Sequence, residues 1–327
     1  MIKGKKSIMN YVLTEAVDAE YRIQGYVRET YAERSVYFSN LGENNVYLKL
    51  ENTQLTGSFK SRGAFNRLLS LPKDEIDRGI ITASTGNHGI AVCYALRELG
   101  LEGKIYVPEN INQSKLDVLR MYNADIIFRG NDGVVTEAFA RKAADKTGAF
   151  FISPYNDQKI IGGQGTIGVE LMRQIKKIDA VFIPVGGGGL MSGVAGYLKT
   201  VEPRIEIIGC QPENSPIMYE SVRAGRIIEM ESLPTISDGT AGGIEKGSIT
   251  FNICKNCVDE FVLVSEDEIE DAIKLVLQKS HMLIEGAAAL SIASFQKVKE
   301  KYRGKNIVLI LTGKMISFDD IKRIINK

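Results

Sequence analysis

Asp179-Ala-Val-Phe-Ile-Pro-Val185, then Gly186-Gly-Gly-Gly189, then Leu190-Met-Ser-Gly-Val-Ala-Gly-Tyr-Leu-Lys-Thr200 reads in three parts. The first is a continuous apolar run, as a parallel strand buried on both faces requires, whereas a half-exposed strand alternates. The last places apolar residues three and four apart, the period of a helix. The four glycines between them let the backbone curl and bring several N–H groups to one point. Strand, turn and helix make the repeating unit of an open parallel sheet, and the unit recurs. Val46–Leu50, Gly79–Ala83, Lys104–Pro108, Ala124–Phe128, Ala149–Ser153, Ile205–Cys210, Val258–Val264 and Asn306–Thr312 read as further strands. Gly86–Leu99, Gln113–Tyr122, Val134–Lys146, Gly162–Lys176 and Glu266–Ser280 read as helices between them. The expected class is α/β, with two open parallel-sheet domains built on right-handed crossovers. Residues 56–153 form the smaller domain in this reading; residues 1–55 and 154–327 form the larger.

The composition narrows the function. In 327 residues, 41 basic and 40 acidic side chains leave a net charge of +1. No block of like charge occurs, so neither nucleic acid nor an anionic membrane is an expected partner. No run of 18 apolar residues is present to span a bilayer. The opening decapeptide MIKGKKSIMN has three lysines but no apolar stretch behind them, so a secretory leader is not expected. Cys93 and Cys210 sit in apolar runs as small core residues. Cys254 and Cys257 form a lone CxxC without a second ligand pair, and His88 and His281 lie far from it in sequence. They read as ordinary thiols, with no metal site and a cytoplasmic setting.

Several strand-to-helix turns carry more chemistry than turns need. Open α/β sheets bind ligands at the carboxyl ends of their strands. In Glu51-Asn-Thr-Gln-Leu-Thr-Gly-Ser-Phe-Lys-Ser-Arg-Gly-Ala64, a polar, glycine-containing turn leads into a helix whose first turn presents Ser58 and Lys60, where the dipole disfavours a cation. The placement suits an amine used neutral or as an imine. In Thr82-Ala-Ser-Thr-Gly-Asn-His-Gly89, hydroxyls, an amide and N–H groups converge on a helix start, which suits a carboxylate. Gly186–Gly189 suits phosphate oxygens but lacks the Lys-Ser/Thr of a Walker A loop. A dinucleotide loop is disfavoured too, because the next strand ends Gly209-Cys210-Gln211 with no acidic residue for a ribose. Lesser features follow: Ser153-Pro-Tyr-Asn156 and Leu311-Thr-Gly313 end strands, Asp238-Gly-Thr-Ala-Gly-Gly243 is a glycine-rich loop and Glu285-Gly-Ala-Ala-Ala289 opens a helix, each singly explained by ordinary turn chemistry.

Taken together, these turns resemble the fold-type-II pyridoxal-phosphate enzymes, specifically the serine/threonine dehydratase (threonine ammonia-lyase) and serine racemase family. The resemblance spans the chain from the N-terminal Glu15–Leu50 arm to Thr312 and implies a fold like that of the tryptophan synthase β-subunit, with 56–153 mobile. It implies pyridoxal 5'-phosphate as cofactor and Lys60 as the lysine that forms the Schiff base and serves as general base. Phe59 would flank the ring and Asn87 bond its phenolic oxygen. Gly186, Gly187, Gly188, Gly189 and Leu190 would hold the phosphate, with Thr312 at the ring nitrogen. Ser84, Thr85, Asn87, His88 and Asn156 would surround the substrate carboxylate, and Gly239 and Glu285 the far wall. The implied reaction is β-elimination from L-threonine or L-serine to 2-oxobutanoate or pyruvate plus ammonia, in a cytoplasmic homodimer.

Some positions depart from the family pattern. Racemases place a serine, the second base, where this chain has Thr85, and dehydratases place alanine. Racemisation therefore stands as the alternative, beside dehydratase-like action on 3-hydroxyaspartate or in hydroxyectoine breakdown, and beside β-replacement. Gln211 and Ile217 replace the carboxylates that bind a divalent cation in racemases, so no such metal is expected. Thr312-Gly-Lys-Met315 replaces the usual Ser-Gly-Gly-Asn. The chain runs about fifteen residues past Thr312, which predicts no regulatory domain and a catabolic type of enzyme.

Overall fold

The computed structural model describes residues 2–327; Met1, first residue of the decapeptide read for a leader, lies outside them. The chain opens with α1 (Ile2–Ile23), β1 (Ala32–Arg34), α2 (Val36–Gly42) and β2 (Asn45–Lys49). Next come α3 (Lys60–Leu69), α4 (Lys73–Asp77), β3 (Ile80–Ala83), α5 (Asn87–Leu99), β4 (Lys104–Val107), α6 (Gln113–Arg120), β5 (Asp125–Phe128), α7 (Gly133–Thr147) and β6 (Phe150–Phe151). Then follow α8 (Gln158–Gln174), β7 (Ala180–Pro184), α9 (Gly189–Val201), β8 (Glu206–Pro212), α10 (Ile217–Ala224) and α11 (Ile249–Cys257). The chain closes with β9 (Glu260–Val264), α12 (Glu266–Ser280), α13 (Gly286–Val298), β10 (Asn306–Ile310) and α14 (Phe318–Asn326).

Two sheets result. One has the order β1-β2-β10-β7-β8-β9 and the other β5-β4-β3-β6. Every pairing is parallel except β1 with β2, which run antiparallel. The α/β class with two parallel sheets thus holds, and the added feature is one antiparallel edge strand. Its Glu33 and Arg34 are exposed, so β1 offers no apolar run to read. The strand expected over Ala149–Ser153 is only two residues long. Ser153 has turned by then, its Oγ accepting the Asn156 N–H at 3.0 Å.

Strand β7 shows why the deciding stretch has no alternation. Val181, Ile183 and Val185 face a core beneath α1, α8, α9 and α11. Ala180 and Phe182 face the opposite core with α12 and α13, where Phe182 meets Phe295 edge-on. Successive side chains point to opposite faces, and both faces are dry. Helices α8 and α9 lie close to α1 because glycines face it. A Cβ on Gly165 would stand 2.7 Å from Ala16 Cβ, and one on Gly196 2.7 Å from Val12 Cγ1. A third core packs α3 and α5 against the smaller sheet through Phe65, Ile80, Ile90 and Ile105. Among the described residues no helix is long and apolar enough to cross a membrane.

Candidate active site

The turns after β2, β3, β6, β7 and β10 lie at the carboxyl ends of strands, whereas Asp238–Gly243 joins α10 to α11 and Glu285 joins α12 to α13. The segment leading into α3 is stitched to the end of β10. Phe59 N–H donates to the Thr312 carbonyl at 3.1 Å, and Lys314 N–H to the Gly57 carbonyl at 3.0 Å. Lys60 therefore opens α3 beside the central strand's end. Its Nζ donates to the Pro154 carbonyl at 3.0 Å and sits 5.3 Å from the centroid of the Phe59 ring. Burial pulls the Lys60 pKa from 10.5 down to about 8, with the Glu285 charge opposing. The first turn of α3 is anchored from below by Arg62. Its guanidinium reaches Glu51 at 2.8 Å and Glu170 at 2.5 Å, all out of solvent. The Lys49 amine completes the cluster on Glu170. Burial opposes the Arg62 charge, but the two carboxylates hold its pKa raised.

In the second turn, the Ser84 Oγ accepts the Gly86 N–H at 3.2 Å. A Cβ at Gly89 would lie 2.2 Å from the Ser84 carbonyl oxygen, so only glycine lets α5 start this close to its own turn. Asn87 Nδ2 donates to Glu285 Oε2 at 2.8 Å, while its Oδ1 is buried without a partner. Thr312 Oγ1 donates to Glu285 Oε1 at 2.9 Å, and Met315 N–H to Oε2 at 3.1 Å. Burial pushes the Glu285 pKa up, and these hydrogen bonds pull against it. His88 turns inward. Its Nε2 lies 3.1 Å from Thr82 Oγ1 and 3.3 Å from the Ile152 carbonyl. Burial first, and the Lys60 charge second, drop its pKa to about 3. The ring is neutral and pins the turn to the sheet.

The tetraglycine turn leaves no room for side chains. A Cβ on Gly187 would fall 2.5 Å from the Tyr155 ring, and one on Gly186 2.9 Å from Thr240 Cα. Gly188 adopts φ +87°, a left-handed conformation that favours glycine. It caps α9 without any side-chain bond. The first-turn N–H groups of α9 thus lack both intrahelical acceptors and a side-chain cap.

One cavity of about 640 Å³ gathers Phe59, Lys60, Ser84, Thr85, Asn87, His88, Gly186–Leu190, Gly239, Glu285 and Thr312. Asn156 is not in its wall; its amide donates to Glu245 at 2.7 Å and accepts the Ile249 N–H at 3.1 Å. Tyr155, in the same turn, carries no sequence mark of a role, yet its ring packs against the glycines and its hydroxyl accepts the Glu245 N–H at 2.9 Å. A groove of about 710 Å³ runs along the amino ends of the smaller sheet, from Arg78 to Asp125, and gathers none of these groups.

An anion cradle of backbone N–H groups, a buried amine of lowered basicity and an unpartnered amide oxygen fit a phosphorylated aldehyde cofactor. The sequence pattern of the pyridoxal-phosphate dependent enzymes matches residues 23–313. The chain belongs to this family. Its cofactor is pyridoxal 5'-phosphate, and its fold is that of the type II enzymes. It is 39% identical, over 96% of its length and 78% of the relative's, to L-threonine ammonia-lyase of Thermotoga maritima. A solved threonine deaminase isoform from Solanum lycopersicum superposes with a TM-score of 0.92 at 34% identity, covering 98% of this chain and 93% of that one. Maize serine racemase superposes at 0.89 with 29% identity, covering 96% and 98%.

Proposed function

We propose that this enzyme eliminates water from L-threonine or L-serine, releasing 2-oxobutanoate or pyruvate and ammonia. The observation that carries the reading is the Lys60 amine, its pKa lowered to about 8, in one cavity with the glycine cradle and the Ser84–Asn87 turn. The threonine ammonia-lyase and threonine deaminase relatives support the substrate class. When bound, pyridoxal phosphate supplies an electron sink that acidifies the Cα proton of an attached amino acid. Lys60, half of it neutral near pH 8, is the base that takes this proton on its Nζ. Gly186–Leu190 would hold the phosphate with backbone N–H groups, and Phe59 would lie beside the ring. Asn87 and Thr312, both tethered to Glu285, would be the side chains that orient the ring. Ser84, Thr85 and Asn87 receive the substrate carboxylate at the start of α5, where the helix dipole favours an anion. Gly239 lines the far wall. His88 and Asn156 serve the site by holding its turns. Residues 56–153 act as the mobile domain and 1–55 with 154–327 as the larger, in a cytoplasmic homodimer.

Racemisation is the second reading, and the Thr85 hydroxyl in the cavity wall favours it. A panel of L- and D-serine, L-threonine and 3-hydroxyaspartate, scored for oxo acid and for inverted product, separates the readings. Oxo acid from L-threonine without D-amino acid is the expected result. Inverted product as the main outcome would replace this reading with the second.

A further inference from the structure

Helix α11 carries a threonine that no motif marks. Thr250 is wholly buried, and its Oγ1 donates to the Gly187 carbonyl at 2.6 Å. Because that hydroxyl's one proton is used there, the Ser248 hydroxyl, 2.7 Å away, is the donor in their mutual bond. Ser248, Thr250 and the Gly187 carbonyl thus form one directed chain. The carbonyl and N–H of a trans peptide point in opposite directions. Pinning the Gly187 oxygen toward α11 therefore turns the Gly188 N–H the other way. Gly188 lines the cavity, whereas Thr250 does not, so the other way is into the site. The peptide cannot slip instead, because Gly188 is hemmed in. A Cβ there would meet Met218 Cε at 2.9 Å, Cys254 Sγ at 3.0 Å and Thr250 Cβ at 3.0 Å.

We infer that Thr250 is a positioning residue for the phosphate cradle, aiming the Gly188 N–H by holding the Gly187 carbonyl. This rests on the glycine turn being the cradle, as proposed above. The test titrates cofactor-stripped full-length chain with pyridoxal 5'-phosphate and, separately, with pyridoxal, which lacks the phosphate. In Thr250→Val the Kd for pyridoxal phosphate rises about ten-fold or more, the scale of one charge-assisted hydrogen bond. The Kd for pyridoxal stays within about two-fold, and Thr250→Ser restores the wild-type ratio. Equal weakening toward both compounds, or no weakening, would overturn the inference. Should Thr250→Val be recovered unfolded, Ser248→Ala carries the test. A rise of about three-fold for the phosphorylated compound alone is expected, and an unchanged ratio overturns the inference. Gly187→Val, which drives a side chain into Tyr155, reads the cradle itself. If it spares pyridoxal phosphate binding, the cradle assignment fails; if it alone destroys binding, only the role of Thr250 fails.

Discussion

Burial lowers the basicity of Lys60, and that has a measurable signature. The amine is lifted out of water at the start of a helix, where a positive charge is disfavoured. Its pKa of about 8 means that half the amines are free near that pH, against a negligible share for an ordinary lysine. The rate at which cofactor-stripped protein takes up pyridoxal phosphate should rise up to about pH 8 and level off above it. A rate still climbing toward the ordinary lysine range would show the amine to be unshifted. Lys60→Ala should abolish turnover with the unfolding midpoint kept, checked by oxo acid release and thermal unfolding. Glu285 has a different task. It accepts hydrogen bonds from both Asn87 and Thr312, so one carboxyl aligns two side chains from separate turns. Glu285→Ala frees both and removes the charge that supports protonated Lys60. Two outcomes are expected: cofactor affinity falls about ten-fold, the scale of two oriented hydrogen bonds, and the pH midpoint of uptake shifts downward. A spectral titration at several pH values reads both.

At the scale of elements, α3 depends on charges that sit in the core. Arg62 bonds Glu51 beside β2 and Glu170 on α8, so one side chain locks the lysine-bearing turn to two other elements. Removing one partner of a buried ionic cluster costs about 3–5 kcal/mol, because the remaining charges stay buried without compensation. Arg62→Met should lower unfolding stability by that amount in urea, while Arg303→Met, at an exposed pair, should leave it almost unchanged. An equal effect of the two would refute a core role for the Arg62 cluster. This contrast also marks how far the sequence was legible. Strand β7, the glycine turn and the Lys60 turn declare themselves locally, because burial on both faces and tight turns leave a pattern within ten residues. The antiparallel β1 leaves none, being short and polar outward. Tyr155 and Thr250 act on glycines dozens of positions away, and Arg62 on Glu170 as well as the nearer Glu51; nothing local distinguishes a buried Arg from a surface one. His88 shows the converse: it stands in a turn full of ligand-like groups, yet its ring serves the sheet through Thr82 and Ile152.

For the molecule as a whole, what matters is how the four-stranded unit meets the larger one across the cavity mouth. Two ion pairs do this at the surface. Lys115 on α6 reaches Asp238 at 3.1 Å, and Arg141 on α7 reaches Glu245 at 2.5 Å. Asp238 and Glu245 flank the glycine-rich turn that supplies Gly239 to the wall, so each pair joins the smaller unit to that turn. Arg141 is held for the purpose, stacked 4.3 Å from the Phe151 ring centroid. Exposed pairs contribute only about 0–1 kcal/mol each. Under the mobility proposed for residues 56–153, together they would bias closure over substrate without locking it. The double substitution Lys115→Ala/Arg141→Ala should therefore raise KM by up to about ten-fold, with kcat within about two-fold and stability unaltered. Salt supplies the internal control. Screening over a Debye length of about 3 Å at 1 M should raise the KM of the unmodified enzyme toward that of the double variant. The variant's own KM should stay flat over the same range. A KM that responds equally to salt in both proteins would place the sensitivity in substrate binding and not in closure.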